Sequence, residues 1–266
     1  MPVELRPSTE LTHADLAELF TASYEGYFVP FRVDEPTFGF MVDVFDLDLA
    51  GSLVAIVDGA QVGLANLGLR GTRSWLGGVG VIPSRRGEGI GEMLTRVLLD
   101  RARAAGARKM QLEVIAENHR AIALYEKLGF ERTRELEVLS LAPKESAAAA
   151  DEIALEAARA LVRAERDAAD PWQRDDDTVD RLGARAPAPK ALAAGDAAAV
   201  YRVTGETVSL VQAAGDQRGL QTILAALRSR GSVSAVNYPP GGAVAAAFHA
   251  AGASVVLRQY EMAVRL

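Results

Sequence analysis

The stretch Arg85–Gly91, RRGEGIG, joins an apolar run (Ser74 to Ile82) to an amphipathic one, and its glycines at 87, 89 and 91 dictate a strand that turns sharply into a helix with bare backbone amides. Such a junction opens a right-handed crossover, and the chain continues in that sense. A helix is predicted from about Gly89 to Ala105 with Gly106 after its end, then a buried strand over Met110 to Ile115. A short helix from His119 to Leu128, stopped by Gly129, and a strand over Glu131 to Leu141 follow. Upstream, Leu53 to Val57, the turn Asp58-Gly59 and Val62 to Arg70 predict a hairpin, to which Ser74 to Ile82 adds a third antiparallel strand. Two helices precede it. One stands behind the capping box Thr12-His13-Ala14-Asp15, with Leu16, Leu19 and Phe20 on its apolar face. The other opens at Glu35-Pro36, with Phe38, Met41, Val42 and Phe45 at helical spacing. The fold class is therefore α/β (α+β), a mixed sheet flanked by helices.

A glycine loop of this kind suits phosphate. A Walker A loop would end in Gly-Lys-Ser/Thr, which is missing, and a dinucleotide fingerprint needs a longer last glycine spacing beside the first strand of a parallel unit. The pattern Arg86-x-x-Gly89-x-Gly91 remains. Its freed amides converge where the helix start carries about half a positive charge, and Arg86 adds a fork of donors, so a pyrophosphate fits. Composition narrows the chemistry further. Without Cys there is no thiolate nucleophile, disulfide or thiolate metal site, and His13, His119 and His249 are too scattered for a metal cluster or a Ser-His-Asp triad. A net charge of −6 gives no general attraction to nucleic acid. No run reaches the roughly 20 apolar residues of a membrane span, so no membrane is expected and the localisation reads as cytoplasmic.

Gly80 to Gly91, GVIPSRRGEGIG, and Asn118 to Phe130, NHRAIALYEKLGF, make residues 1–143 resemble the GNAT acetyltransferase superfamily. The resemblance implies a GNAT fold in which two strands of the mixed sheet splay and the pantetheine of acetyl-CoA enters the gap. It implies Val79 and Val81 as backbone partners of pantetheine and the thioester carbonyl. It makes Arg86, Gly87, Glu88, Gly89, Ile90 and Gly91 the pyrophosphate cradle and Asn118 a further coenzyme contact. Leu112-Glu113-Val114 with Asn118 and Tyr125 looks most like bacterial enzymes that acetylate the N-terminal alanine of ribosomal proteins, in which the matching glutamate is the base and the matching tyrosine the acid. The residue types suit the chemistry independently: an ammonium must lose a proton before attacking a thioester, and a thiolate must gain one as it leaves. Glu117 is the substitute base if Glu113 points away.

No metal is implied, and direct transfer in a ternary complex needs no covalent enzyme intermediate. Tyr24, Glu25, Tyr27 and Phe28, between the first two helices, and Asp43, Asp46 and Asp48 after the second, are expected to line the acceptor groove, where aromatics and carboxylates suit a cationic amine. The acceptor would be a small-molecule amine or a peptide or protein N-terminus. Arg96, Arg101, Arg103 and Arg108 form either a solvated helix face or a contact to the 3′-phosphate of the coenzyme. A non-catalytic acyl-CoA-binding sensor is the alternative function, and a nucleotide-dependent oxidoreductase the third.

Residues 144–195 read as an exposed bridging helix, rich in Ala, Glu and Arg from Lys144 to Asp167, followed by a linker marked by Asp175-Asp176-Asp177 and the prolines of 183–190. Beyond it the earlier order of elements returns. Placing Gly129 on Gly252, a displacement of 252 − 129 = 123 positions, puts Tyr125 on Phe248, Glu113 on Val236 and Asn118 on Gly241, and Gly215–Gly219 lacks the phosphate-loop register. The expectation is a tandem chain: a GNAT domain over 1–143, a bridge and linker over 144–195, and a degenerate GNAT-like half over 196–266 that packs against the first. A monomer or homodimer is expected.

Overall fold

β1 (Glu4–Pro7) lies antiparallel to β2 (Leu53–Val57), and between them come two helices. α1 (His13–Ser23) starts from a reciprocal capping box: the Thr12 hydroxyl accepts the Asp15 N–H and the Asp15 carboxylate accepts the Thr12 N–H, both at 3.1 Å. α2 (Glu35–Val44) is capped by Asp34, with Pro36 in its first turn where a missing N–H costs nothing. β2, β3 (Ala60–Arg70) and β4 (Arg73–Val81) form the expected meander, and α3 (Ile90–Ala104) then crosses over to β5 (Lys109–Ile115), which runs parallel to β4. α4 (His119–Lys127) follows.

The structure, a computed structural model, describes residues 2–166 and 169–266. Its contacts divide into two units, one holding the chain up to Thr133 together with Glu261–Leu266, the other Arg134–Tyr260. In the second unit β6 (Glu131–Leu141) supplies most of its length, followed by β7 (Asp151–Glu152), α5 (Leu155–Glu165), α6 (Asp176–Gly183), β8 (Lys190–Ala194), β9 (Ala197–Thr204) and β10 (Thr207–Ala214). α7 (Gln217–Arg228), β11 (Ser232–Tyr238), α8 (Ala243–Ala250) and β12 (Ser254–Arg265) complete the chain. β10 and β11 are parallel, as β4 and β5 are.

The displacement of 123 positions survives in three dimensions: it carries residues 109–115 of β5 onto 232–238 of β11, and Gly129, at φ +88°, onto Gly252, at φ +81°. Two expectations differ from what forms. The division falls at Thr133 rather than after 143, because β6 pairs antiparallel with β11, Leu141 opposite Val233 and Leu139 opposite Ala235. The place of a closing strand in the first unit goes to the end of the chain. There the Thr133 hydroxyl donates to the Glu261 carbonyl at 3.1 Å and the Leu266 N–H to the Arg108 carbonyl at 3.0 Å.

Much of 144–195 is likewise core material rather than bridge and linker, although 144–149 and the proline stretch 184–188 are irregular and mostly exposed. α5 packs on β8, β9 and β10, burying Ala158 and Val162 against a strand whose Ala197, Ala198 and Ala199 are fully enclosed; β8 pairs with β9; and Trp172 is 0% exposed. A helix of alanines on a strand of alanines packs closely but shows little hydrophobic contrast in sequence, which is why the segment reads as exposed. Asp167, the end of the expected bridging helix, lies outside the described residues.

Candidate active site

Parallel pairing of β4 with β5 lasts from Arg73↔Lys109 to Trp75↔Gln111 and then stops, so the two strands part beyond Trp75. At the same level β4 carries a bulge: Leu67 faces Leu76 but Ala65 faces Val79, so Gly77 and Gly78 together oppose Asn66. Gly78 has φ +139°, and a Cβ there would stand 3.0 Å from the Tyr24 hydroxyl and 3.2 Å from the Phe20 ring. At Gly77 a Cβ would meet the Trp75 indole at 2.7 Å. Missing side chains thus let α1 and an indole rest directly on the β4 backbone. The Ile82 N–H donates to the Val62 carbonyl at 2.9 Å, and strand alternation therefore turns the N–H groups of Val81 and Val79 away from β3, toward the parted strands.

The glycine loop forms as a junction. Gly87 and Gly89 take φ +94° and +82°, Gly89 is the left-handed cap residue of α3, and no side chain among the described residues caps that helix. Its first-turn amides and the positive end of the helix dipole are left for an anion. Arg86 is placed differently from expectation. Its Nε donates to the Val81 carbonyl at 3.0 Å, and its Nη2 to the Ser23 and Glu25 carbonyls at 3.1 and 2.7 Å, so much of the fork expected to meet phosphate instead ties the loop to the end of α1. Glu88 is 3.5 Å from Arg85. Exposed Arg120, on the first turn of α4, comes within 3.6 Å of a Cβ built on Gly87, a basic neighbour that sequence reasoning missed. Arg101 donates to the carbonyls of Ala50, Gly51 and Ser52, and Arg96 and Arg103 pair with Glu92 and Asp100 on their own helix.

Glu113, on β5, is half-buried and accepts the Trp75 indole N–H at 2.8 Å. Tyr125, on α4, is 7% exposed, edge-on to Phe130 at 5.7 Å; burial first and the neighbouring Tyr27 second push its hydroxyl well above the ordinary tyrosine range. Asn118 caps α4, accepting the Ala121 N–H at 3.2 Å, and also bonds the Tyr27 hydroxyl, which partly offsets the rise that burial gives Tyr27. Tyr24 stacks on Phe20 at 4.7 Å and meets Tyr27 edge-on at 4.9 Å. Burial pushes its hydroxyl up, Tyr27 and Tyr125 add to the rise, and a hydrogen bond with the Val79 backbone works against it. Tyr24, Tyr27, Asn118 and Tyr125 therefore form one cluster beside the bulge.

Phe28 joins this cluster through Tyr27, whose ring it meets edge-on at 5.4 Å. Phe28 is nonetheless 54% exposed on its loop; Asp46 pairs with Arg70 at 2.8 Å, Asp48 caps the Ala50 N–H at 3.0 Å, and Glu117, the expected substitute base, is exposed. Beside the loop between α1 and α2, Tyr24, Tyr27, Pro30 and Phe31 help line a cavity of about 500 Å³. Trp75 and Asn66 escaped the sequence reading. The signal was a polar atom at an alternate position of an otherwise apolar strand, and Asn66 is 0% exposed.

The second unit repeats the parting of strands and sets its own side chains there, beside a cavity of about 360 Å³ that Gly215, Tyr238 and Arg174 help line. β10 and β11 pair from Thr207↔Ser232 to Leu210↔Ala235 and then separate, with a register shift between Leu210 and Gln212. There the Gln212 amide donates to the Arg174 carbonyl at 2.7 Å and Arg174 to the Asn237 carbonyl at 3.0 Å. The Asn237 amide bonds Gln173 at 3.2 Å, and the Arg174 guanidinium lies 3.6 Å over the Tyr238 ring. At the start of α7 the Asp216 carboxylate accepts the Arg218 and Gly219 N–H groups at 2.9 and 3.0 Å, which holds its pKa down; α3 has no such internal anion. Among the described residues no group of three or more His, Cys, Asp and Glu could hold a metal ion, and no helix is long and apolar enough to cross a membrane.

Residues 14–130 match the sequence profile of the acetyltransferase (GNAT) family. The chain is 52% identical over 52 residues to a mycothiol acetyltransferase of Corynebacterium glutamicum, an alignment covering 20% of this chain and only 18% of that relative. It is 30% identical over 134 residues to N-alpha-acetyltransferase 30 of Schizosaccharomyces pombe, covering 50% of this chain and 81% of the relative. Among solved structures, a GCN5-related N-acetyltransferase from Sphaerobacter thermophilus superposes with a TM-score of 0.73 at 16% identity, covering 99% of this chain and 95% of the other, a likeness of fold.

Proposed function

This chain belongs to the acetyltransferase (GNAT) family, and from that premise we propose that it is an N-acetyltransferase moving an acetyl group from acetyl-CoA to a primary amine, either a small molecule or a peptide N-terminus, by direct attack in a ternary complex. The observation that carries the reading is the parting of β4 and β5 beside a glycine bulge, with Glu113 on one strand and Tyr125 on the helix that follows. A thioester substrate supplies an activated acyl carbon. The chain's task is to place it, take a proton from the amine and return one to the leaving sulfur.

The bare amides of the Gly87–Gly91 segment and the start of α3 suit the pyrophosphate, and positive φ at Gly87 and Gly89 is what brings backbone rather than side chain to that spot. Arg86 contributes by fixing the loop, and Arg120 lends charge beside it. Val81 turns its N–H toward the developing oxyanion, beside the Val79 backbone that bonds the Tyr24 hydroxyl. Glu113 accepts the proton that the attacking ammonium sheds; the amine nitrogen bonds the acyl carbon, the carbon–sulfur bond breaks, Tyr125 protonates the departing thiolate, and the second proton that the nitrogen gives up on becoming an amide restores the Tyr125 hydroxyl. Burial keeps the Tyr125 hydroxyl protonated throughout the neutral range but also weakens it as an acid, so the transfer is driven by the charge that builds on the leaving sulfur. In the second unit Asp216 takes the helix-start amides and Gln173 and Arg174 stand at the parted strands, and these groups are expected to keep coenzyme out.

Release of the coenzyme thiol, followed with a panel of amines and short peptides, tests the activity. E113Q and Y125F are expected to keep acetyl-CoA affinity within about twofold and to lose about 10²–10³ in kcat. Full turnover in E113Q would remove Glu113 from the mechanism. Absence of turnover with every acceptor, despite tight binding of acetyl-CoA, would favour a non-catalytic acyl-CoA sensor.

A further inference from the structure

Trp75 and Glu113 stand on the two strands that part, and a hydrogen bond joins them: the indole Nε1–H donates to the Glu113 carboxylate at 2.8 Å. Trp75 is 6% exposed, with Phe45 edge-on at 5.6 Å, so its rotamer is fixed by packing before any substrate arrives. Period-two alternation puts Trp75 and Gly77 on one face of β4, and Trp75 opposite Gln111 puts Glu113 on the matching face of β5. Gly77 makes the reach possible. A Cβ there would lie 2.7 and 2.9 Å from two indole carbons, so any side chain would push the ring off its seat and the N–H off the carboxylate.

We propose that Trp75 is a positioning residue for the reaction: its indole holds the Glu113 carboxylate in one orientation and favours the ionised form that can accept the amine's proton. The inference rests on the reading of Glu113 as the base. An indole N–H suits this role because it is a donor only; it neither accepts a proton nor gives one up near neutral pH, so it orients the base without competing with it. Fixing a base within hydrogen-bond reach of its target is the source of the rate effect, and a donor to the charged oxygen sets where the base titrates.

The test is steady-state kinetics on the full chain from about pH 5 to 9, for W75F and for a variant carrying benzothienylalanine at position 75, which exchanges the N–H for sulfur with little change of shape. Both are expected to bind acetyl-CoA within about twofold of wild type, to lose about tenfold in kcat, and to move the acid limb of the rate profile up by about one pH unit, the size of one hydrogen bond to a charged group. A merely structural role would leave that limb in place. In an E113Q background the effect of either replacement should vanish, since the two groups act through one bond. Wild-type kcat and an unmoved acid limb in the benzothienylalanine variant would overturn the proposal, and that variant decides the matter if W75F fails to fold. E113Q separates the two readings. If it retains the acid limb, Glu113 is not the base; if it abolishes the limb while both Trp75 replacements leave it in place, only the role of Trp75 is wrong.

Discussion

Gly78→Ala asks whether α1 truly rests on bare β4 backbone. The backbone cost comes from φ +139°, a region that L side chains rarely adopt, and amounts to about 1–3 kcal/mol. The packing cost comes from a Cβ placed 3.0 Å from the Tyr24 hydroxyl and 3.2 Å from the Phe20 ring. Those two rings are stacked at 4.7 Å and Phe20 is 2% exposed, so neither can swing aside, and overpacking of this kind costs about 1–3 kcal/mol. The combined loss of about 2–6 kcal/mol is a large part of the roughly 5–15 kcal/mol that holds a domain folded.

Gly71→Ala is the control. It has φ +56°, with nothing among the described residues within 4 Å of the added Cβ, so only a backbone cost of about 1–2 kcal/mol applies. Urea unfolding followed by tryptophan emission measures both, because Trp75 reports the first unit and Trp172 the second. The Trp75 transition of G78A should fall below that of G71A by at least about 1–2 kcal/mol, with acetyl-CoA affinity weakened only in G78A. Equal transitions would refute the close seating of α1 on the bulge.

Calorimetric titration with acetyl-CoA should return one site per chain; a second site would mean that Asp216 and Arg174 yield to the coenzyme and that the second unit is not closed. Alkaline stability offers a separate check on that unit. Burial pushes the Tyr238 hydroxyl up to about 12, with the Arg174 guanidinium pulling the other way, and the folded value therefore lies above the unfolded one near 10. The associated stability is intact below about pH 10 and is lost as pH rises toward 12, by about 2–3 kcal/mol. Y238F should remove most of that decline in urea midpoints for the Trp172 transition taken at pH 9, 10 and 11, and an unchanged slope would contradict the burial argument. Turnover by E113Q and Y125F and the acid limb of the Trp75 replacements complete the set.

Periodicity and punctuation made most elements legible. The capping box at Thr12, the Asp58-Gly59 turn, Gly106 and Gly129 behind their helices, and the displacement of 123 positions between Gly129 and Gly252 are local signals, written in residues that are neighbours or repeat at fixed spacing. The alanine-rich segment over 144–195 was misread for the opposite reason. Its helix buries small side chains against a strand of small side chains, and the fit is visible only when the two surfaces are brought together. The site divides along the same line. Residue types and order pointed to Glu113, Tyr125 and the glycine loop, whereas the Trp75–Glu113 bond and the three carbonyls that occupy Arg86 join residues 38, 5, 63 and 61 positions apart.

By itself the sequence determined where the chain turns, caps and alternates, and which chemical groups were on hand: carboxylates, tyrosines and freed amides, with no thiol and few imidazoles. These follow from backbone sterics and side-chain chemistry within a few residues. Only the tertiary structure decided what each group does. It spent an arginine on carbonyls, set an indole on a carboxylate, and placed Arg174 at the second unit's parted strands. The physical reason is that polar groups removed from water must find partners wherever the fold brings them, and strand pairing and helix seating choose those partners across distances in sequence that no local pattern records.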